Sequence, residues 1–235
     1  MRTAPWGAVC ALKGEARTLA AGPWWVVTAG VGGKRARRAG EHLLARGAVG
    51  LVSWGCAAAL SPALSPGDLV LPRGVVAADG AWLPCDPSAL ALLSALAPAA
   101  HPGVLAEARE VLVEPAAKVG LARATGALAA DMESAALARL ALERGVAFAA
   151  LRAISDGLDR PLPGPLVAAA VEAPSGGTLL ALLGRRPALI PAAISLGLGY
   201  GRALKALAKA ARGLDGEADG EPEPDASHDG GSKAR

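Results

Sequence analysis

The sequence has few aromatic residues and few of the side chains that bind metals. Phe, Trp and Tyr make up 3% of its 235 residues. No nucleic-acid motif or aromatic stacking platform occurs, so we expect no nucleic-acid partner. The three histidines are scattered, and Cys10, Cys56 and Cys85 have neither metal-ligand nor disulfide spacing. This pattern is typical of the reducing cytoplasm, and we expect neither a metal site nor a cofactor.

The sequence also lacks a long hydrophobic run. Residues 187–201 and 87–100 are charge-free stretches, but both are too short for a transmembrane helix and contain proline. The apolar residues 4–12 resemble a weak signal peptide, but no A-x-A cleavage site follows them. We therefore expect neither a transmembrane segment nor a signal peptide.

Charge is distributed unevenly along the chain. Residues 213–235 carry seven acids and two bases, a net charge of −5, whereas residues 1–212 carry 22 bases and 14 acids, or +8. The acidic segment is rich in glycine and proline and cannot supply a core, so residues 213–235 are predicted to be a disordered tail. The basic remainder suits an anionic partner such as phosphate or a membrane surface.

The basic residues near the end of the predicted domain follow a helical spacing. A chain of this length fits one domain, which we place at residues 1–212. Within it, residues 200–212 form a basic amphipathic helix, with cations along one side: Arg202, Lys205, Lys209 and Arg212. Such a helix can lie on an anionic membrane surface. The alternative is a helix that packs on its own domain and keeps a solvated basic face.

The stretch from Thr125 to Asp159 predicts two strands that flank one helix. Apolar runs at residues 127–130 and 146–154 indicate buried strands, and the residues between them have helical periodicity that ends at Gly145. Each strand is followed by a carboxylate, Glu133 after the first and Asp156 at the end of the second. Ligands of open α/β sheets gather at the carboxyl ends of strands, so we expect these two acids to face one pocket.

Three motifs in this stretch occur in a specific order and spacing: D-M-E-S-A at residues 131–135, Gly145 with Phe148, and R-A-I-S-D at residues 152–156. Together they resemble the purine/uridine phosphorylase and nucleosidase family, over residues 5 to about 170. The resemblance implies a single-domain α/β fold, a three-layer α/β/α sandwich around a mixed, mostly parallel sheet. It also implies a homodimer or higher homo-oligomer, and water or inorganic phosphate as co-substrate.

The resemblance also implies roles for the motif residues. Glu133 would hold the ribose hydroxyls of a purine nucleoside, and Asp156 would donate a proton to the purine as the glycosidic bond breaks. Their neighbours Met132 and Ser155 are then substrate contacts. Without the resemblance, both carboxylates are equally well explained as caps of helices or turns.

Two motifs near the start of the chain extend the resemblance. Glu15 opens the pattern E-A-R-T-L, where the nucleosidases place the glutamate that deprotonates the attacking water; an ordinary first-turn glutamate is the alternative. Gly30 and Gly32 match a G-x-G turn that approaches the ribose or a phosphate. A dinucleotide fingerprint is excluded, because Arg35 occupies its third glycine position.

Residues 54–60 resemble the family's glycine-rich turn beside the nucleophile, with departures. Cys56 replaces a hydroxyl residue, and two alanines replace glycines. Cys56 and Ala57 are predicted to line the pocket; a covalent role for Cys56 would need an activating histidine, and none is placed nearby. Ser53 stands where phosphorylases commonly carry a phosphate-binding arginine, which favours water over phosphate. The remaining candidate phosphate contacts are Arg73, Lys34 and Arg35.

The chain departs from ordinary nucleosidases in two places. Before Lys118 it lacks the segment with a purine-stacking aromatic residue, and further on it enters the basic helix through Arg185-Arg186-Pro187. These features resemble the hopanoid-associated phosphorylase branch, which implies release of adenine from adenosylhopane by a cytoplasmic enzyme that is peripheral on the inner membrane. Two alternatives remain open: a soluble methylthioadenosine or adenosylhomocysteine nucleosidase, and a non-catalytic nucleoside-binding protein on a membrane.

Overall fold

The computed structural model describes residues 5–19, 24–172 and 176–214. From residue 215 on, the predicted acidic tail lies outside the described residues. The strands are β1 (Gly7–Cys10), β2 (Trp25–Thr28), β3 (Gly50–Ala59), β4 (Leu69–Val76), β5 (Trp82–Pro84), β6 (His101–Glu107), β7 (Ala129–Asp131) and β8 (Ala147–Asp156). The helices are α1 (Lys13–Arg17), α2 (Gly33–Ala45), α3 (Pro87–Leu96), α4 (Pro115–Thr125), α5 (Ser134–Arg144), α6 (Gly164–Glu172), α7 (Gly176–Arg185) and α8 (Ile190–Ala211).

All eight strands belong to one mixed sheet. Its order is β2-β1-β3-β7-β6-β4-β5, and β8 pairs with both β3 and β4. Strands β3, β8, β4, β6 and β7 therefore close into a ring, from which β1 and β2 extend on one side and β5 on the other. Parallel pairs outnumber antiparallel ones, the latter being β3–β7, β4–β5 and β4–β8. The predicted α/β fold with a mixed, mostly parallel sheet is confirmed.

The centre of the sheet is the long parallel pair of β3 and β8. Gly50 to Ala57 face Ala147 to Ile154 in register, and the register shifts between Ala57 and Ala58. The strands are apolar along most of their length and buried, as strands covered on both faces are. The predicted turn at residues 54–60 is wrong, because β3 continues to Ala59. Residues 58–59 form an antiparallel pair with β7, a long-range contact that the local sequence does not reveal.

Helices cover the sheet. Helices α2 and α5 pack against each other and on β1, β3 and β8, while α8 packs along β8 and β3. A side chain at Gly40 of α2 would clash with Leu137 and Leu140 of α5, so this glycine allows the two helices to approach closely. The layers agree with the predicted sandwich.

The final helix is longer than the sequence indicates. Helix α8 has 22 residues and begins ten positions before the predicted start at residue 200. Its buried side is Gly199, Ala203, Leu207, Ala210 and Ala211. The four cations predicted to share a side are all exposed. Among the helices of the described ranges, none is both long enough and apolar enough to span a bilayer.

Candidate active site

A cavity of about 290 Å³ lies at the carboxyl ends of β3, β7 and β8, and its lining includes Glu15, Glu133 and Asp156. The three acids come from separate parts of the chain: α1, the β7–α5 junction and the end of β8. Glu133 and Asp156 therefore line one pocket, as predicted. The volume is near the lower end of the range for small-molecule sites, about 300–1,000 Å³.

Glu15 is held rigidly by two backbone amides. Its Oε2 accepts a hydrogen bond from the Leu12 N–H at 2.8 Å, and its Oε1 accepts one from the Cys56 N–H at 2.8 Å. The side chain is buried, with 2% of the residue exposed. Each carboxylate oxygen retains acceptor capacity after one such bond, so Glu15 can still bind a water molecule in the cavity.

Glu133 lies at the start of α5, where the glycine turn of the β2–α2 connection reaches it. Its Oε1 accepts a hydrogen bond from the Gly32 N–H at 2.7 Å. Burial, the largest cause, and the neighbouring Asp131 carboxylate together raise the pKa of Glu133 to about 7, against the opposing effects of Arg152 and the Gly32 amide. At neutral pH the carboxyl is therefore poised between its two protonation states, and hydrogen-bond donors from a ligand would favour the ionised one.

Asp156 forms a buried ion pair. The Lys118 ammonium, fully buried on α4, donates to its Oδ2 at 2.6 Å and also to the Gly157 carbonyl at 2.7 Å. The Ser155 hydroxyl donates to Oδ1 at 2.8 Å. Asp156 itself remains 8% exposed and lines the cavity, so it is the member of the pair that a ligand can reach.

A second buried network lies behind the cavity. Arg152 of β8 pairs with Asp131, and its Nη2 donates to the Ser53 hydroxyl at 2.5 Å and the Ser134 hydroxyl at 3.0 Å. The Ser134 hydroxyl also lies 2.5 Å from Asp131 Oδ2. Ser53, in place of the arginine that phosphorylases commonly carry there, thus supports Arg152 and offers no charge to an anion.

Gly55 lets this network approach Glu15. A Cβ atom at Gly55 would lie 2.7 Å from both Arg152 Nη1 and Glu15 Oε1, so only glycine fits between them. The two charged groups pack against the same backbone, which couples the position of the Glu15 carboxylate to that of the Arg152 guanidinium.

Four other residues that were predicted to contact the substrate or line the pocket lie around the three acids. Met132, Ser155, Cys56 and Ala57 all line the cavity. Burial is the main cause that raises the pKa of the Cys56 thiol, and the Glu15 carboxylate adds to it. The thiol therefore stays protonated and is a poor nucleophile, so a lining role agrees better with its surroundings than a covalent one.

The two glycines and the three candidate phosphate contacts lie outside the cavity lining. Gly30 and Gly32 adopt φ values of 84° and 106°, and Gly32 acts through its bond to Glu133. Lys34 and Arg35 are exposed at the start of α2. Arg73 is exposed on β4 between buried Pro72 and Gly74, because successive residues of a strand point to opposite faces. The structure does not bring these three cations to the acids.

Two residues that reach the acids lie outside the sequence motifs. Lys118 is recognisable only through its partner Asp156. Tyr200, the only tyrosine of the chain, lies on α8 and brings an aromatic ring to the cavity. Burial and the Glu15 carboxylate raise the pKa of Tyr200, so its hydroxyl stays protonated.

The cavity lining is acidic, although two of its acids pair with the buried cations Lys118 and Arg152. The lining holds five acids and no lysine, arginine or histidine. The acids are Glu15, Glu110, Asp131, Glu133 and Asp156. An anion such as phosphate would meet repulsion there, whereas a neutral nucleoside and water would not. Within the described ranges, no group of three or more His, Cys, Asp or Glu side chains is arranged to hold a metal ion.

The chain is similar to known proteins in sequence and in structure. The family model described as "Phosphorylase superfamily" matches residues 3–173. A search of curated protein sequences found no match.

Similar solved structures show the fold. Futalosine hydrolase of Helicobacter pylori strain 26695 has a TM-score of 0.68 at 17% identity, with 91% of this chain and 98% of that chain covered. The Helicobacter pylori 5′-methylthioadenosine/S-adenosylhomocysteine nucleosidase has a TM-score of 0.69 at 17% identity, with the same coverage of both chains. The S-adenosylhomocysteine nucleosidase of Streptococcus pyogenes has a TM-score of 0.68 at 18% identity, again with 91% and 98% covered.

Proposed function

Because the chain belongs to the phosphorylase superfamily and is an enzyme of the nucleoside phosphorylase and nucleosidase type, we propose that it hydrolyses the N-glycosidic bond of an adenine nucleoside whose 5′ carbon carries a lipid. The observation that carries the proposal is the convergence of Glu15, Glu133 and Asp156 on one nucleoside-sized cavity. Glycosidic cleavage needs a group that holds the sugar, a group that directs the nucleophile, and a proton donor for the leaving base.

Glu133 holds the sugar. The ribose hydroxyls donate hydrogen bonds to its carboxylate, while the Gly32 N–H keeps Oε1 in position. A bound sugar that cannot rotate presents its anomeric carbon in line with the nucleophile and the leaving base, and such positioning lowers the barrier. Met132 supplies an apolar contact to the same sugar.

Glu15 directs the nucleophile, which we assign as water. The water oxygen attacks the anomeric carbon and its proton passes to Glu15, whose carboxylate is fixed by the Leu12 and Cys56 amides. The neutral hydroxyl of Tyr200 provides a hydrogen-bond donor in the same cavity. The acidic lining and the place of Ser53 in the Arg152 network support water over phosphate.

Asp156 serves the leaving base. As the C–N bond breaks, its electron pair remains on the purine, and the Asp156–Lys118 pair gives one proton to a ring nitrogen through Asp156. Solvent then returns that proton, and Glu15 releases the one taken from water. Tyr200 supplies an aromatic ring to a cavity that lacks the family's usual stacking segment.

The assignment of a lipid-linked substrate, adenosylhopane, rests on the last part of the chain. The entry through Arg185-Arg186-Pro187, the basic helix and its exposed cations support it, and we propose that residues 200–212 contact the membrane. Leu162, Leu166 and Leu196 add apolar surface to the cavity. The second candidate is a soluble methylthioadenosine or S-adenosylhomocysteine nucleosidase, which the similar structures named for those substrates favour.

Product analysis tests both the reaction and the substrate. The protein is incubated with adenosylhopane, methylthioadenosine or adenosine, each with and without inorganic phosphate, and adenine and the sugar product are identified. We expect adenine and a free ribosyl product at the same rate with and without phosphate, and a higher kcat/KM for the lipid-linked nucleoside. A sugar 1-phosphate would contradict the role of water, and an equal or higher kcat/KM for methylthioadenosine would favour the soluble nucleosidase.

A further inference from the structure

The outer face of α8 changes character halfway along the helix. Its first half exposes aliphatic side chains, Ile190 at 41%, Ile194 at 58% and Leu198 at 60%. Its second half exposes Arg202, Lys205 and Lys209, and Arg212 follows as the exposed C-cap. At 3.6 residues per turn, these seven positions fall within about 120° of one another around the helix axis. We call this surface the α8 stripe.

The α8 stripe has the chemistry of a surface that meets lipid. Exposed aliphatic side chains lose free energy when they leave water, and cations are attracted to phosphate head groups. Helix α8 contains no aspartate or glutamate, so nothing on the helix itself offsets its positive charge. An anionic lipid surface complements both halves, because its head groups take the cations and the layer beneath them takes the aliphatic side chains.

A second cavity connects the α8 stripe with the active site. It has a volume of about 840 Å³, and its lining includes Leu198 and Arg202 of the stripe. It shares four lining residues with the nucleoside cavity: Ser155, Asp156, Leu162 and Leu196. Much of its remaining wall is proline and leucine, contributed by the segments 62–66 and 157–163. The two cavities therefore adjoin at Asp156, and the larger one extends from there to Leu198 and Arg202 of the stripe.

We propose that the α8 stripe docks on an anionic lipid layer, with Ile190, Ile194 and Leu198 in the head-group region and Arg202, Lys205 and Lys209 against lipid phosphates. The larger cavity then opens to the lipid and receives the apolar part of the substrate. This inference rests on the proposed function for its account of the substrate, but the docking itself is measurable without it.

Other occupants of the α8 stripe are disfavoured by its charge and shape. A second copy of the chain with its α8 parallel to this one would bring two cationic helix halves together, and like charges repel. An antiparallel copy would set the cations of one helix against the aliphatic side chains of the other, which desolvates charge without pairing it. A nucleic acid would be attracted by the cations but would leave the three aliphatic side chains in water.

Vesicle sedimentation of the full chain tests the docking. The vesicles consist of phosphatidylcholine alone or of equal parts phosphatidylcholine and phosphatidylglycerol. We expect binding to the anionic vesicles only. Ile190→Ser/Ile194→Ser and Lys205→Gln/Lys209→Gln should each weaken it by about tenfold or more, because each removes one of the two attractive contributions. None of these four residues lines either cavity.

Matched controls alter the same side-chain types elsewhere. Leu142→Ser removes an aliphatic side chain that is 69% exposed on α5, and Arg38→Gln/Arg123→Gln removes two exposed cations of α2 and α4. These variants should bind vesicles as the parent does. Equal binding by all variants, or no binding by the parent, would overturn the proposal. So would a dimer that dissociates in Ile190→Ser/Ile194→Ser without any vesicle binding by the parent.

Activity on a soluble nucleoside separates this inference from the proposed function. Every stripe variant should release adenine from methylthioadenosine at the rate of the parent, because the catalytic acids are untouched. Adenine release without vesicle binding would overturn only the docking. Vesicle binding without adenine release from any nucleoside would overturn only the proposed reaction.

Discussion

Two aspartates in the molecule have nearly the same surroundings but differ in what can reach them. Asp131 pairs with a buried arginine and accepts a hydrogen bond from Ser134. Asp156 pairs with a buried lysine and accepts one from Ser155. The Asp131 side chain is 1% exposed and its arginine partner is also at 1%, whereas 10% of the Asp156 side chain is exposed to the cavity. The first pair is therefore expected to maintain the structure, and the second to take part in chemistry.

The Asp131 pair also sets the properties of the sugar-binding acid. Asp131 raises the pKa of Glu133 and Arg152 lowers it, so the buried network acts on the site through charge. The comparison thus separates two uses of a buried ion pair: one fixes the backbone and tunes a neighbour, and the other holds a reactive carboxylate at a cavity wall.

Removal of Arg152 should have the largest effect on stability. In Arg152→Met the Asp131 carboxylate stays buried without its cation, and Ser53 and Ser134 lose a donor. We expect the free energy of unfolding, measured by urea denaturation, to fall by about 3–5 kcal/mol. Arg139→Met is the matched control, because it breaks an exposed arginine–aspartate pair with Asp79 and should change little. An equal loss in both variants would contradict the comparison.

Removal of Lys118 should lower activity more than it lowers stability. In Lys118→Met the Asp156 carboxylate can still take up a proton or water from the cavity, so the loss in free energy of unfolding should be smaller than for Arg152→Met. Adenine release should nevertheless fall by about tenfold or more, since Asp156 loses the group that positions it and shares its proton. Single-turnover kinetics and urea denaturation on the same preparation measure both effects. A Lys118→Met variant with full activity would contradict a catalytic role for the Asp156–Lys118 pair.

Glu133→Gln should stabilise the protein while it weakens substrate binding. The pKa of Glu133 in the folded state, about 7, lies above its ordinary value. The contribution of Glu133 to the stability of the parent is therefore greatest below about pH 4.5, and it is lost as the pH rises through about 7. At about pH 8, Glu133→Gln should be more stable by roughly 1–3 kcal/mol.

Binding should show the opposite trend with pH. The KM of the parent should fall as the pH rises through about 7, since the ionised carboxylate accepts the ribose hydrogen bonds, and the variant should lose this dependence. Parallel stability curves of parent and variant between about pH 5 and pH 8 would contradict the effect of burial on Glu133.

The two serines give the smallest and most selective test. Ser134→Ala should lower the free energy of unfolding by about 1–2 kcal/mol, because it leaves the buried Asp131 and Arg152 with one partner fewer. Ser155→Ala removes a bond at the half-buried cavity wall and should change stability less, while kcat falls by a few-fold. Thermal unfolding and steady-state kinetics of both variants measure the contrast. Interchanged effects would mean that the roles of the two aspartates are reversed.

The sequence predicted the parts of the site that lie close together along the chain. The strand–helix–strand unit from Thr125 to Asp159 has β7, α5 and β8 where the periodicity indicated them, with Gly145 in the left-handed conformation at the end of α5. Glu133 and Asp156 follow the two strands of that unit as predicted, but they converge through β3, which lies between those strands, parallel to β8 and antiparallel to β7.

The parts that were missed depend on long-range contacts. Residues 54–60 have the composition of a turn, and only pairing with β7 and β8 makes them a strand. Lys118 and Tyr200 carry no local pattern, and they reach the site because α4 packs beside β6 and α8 packs beside β8. Arg73 was assigned by its charge, but the alternation of β4 turns it away from the cavity.

The most direct measurement is the rate of adenine release from a bound purine nucleoside by Asp156→Asn and by the parent, at saturating enzyme and in a single turnover. The substitution keeps the size of the side chain but removes the acid. The account predicts a loss of about 100-fold or more, with far-UV circular dichroism and urea unfolding of the variant showing an intact fold. An unchanged rate in a folded Asp156→Asn protein would contradict it.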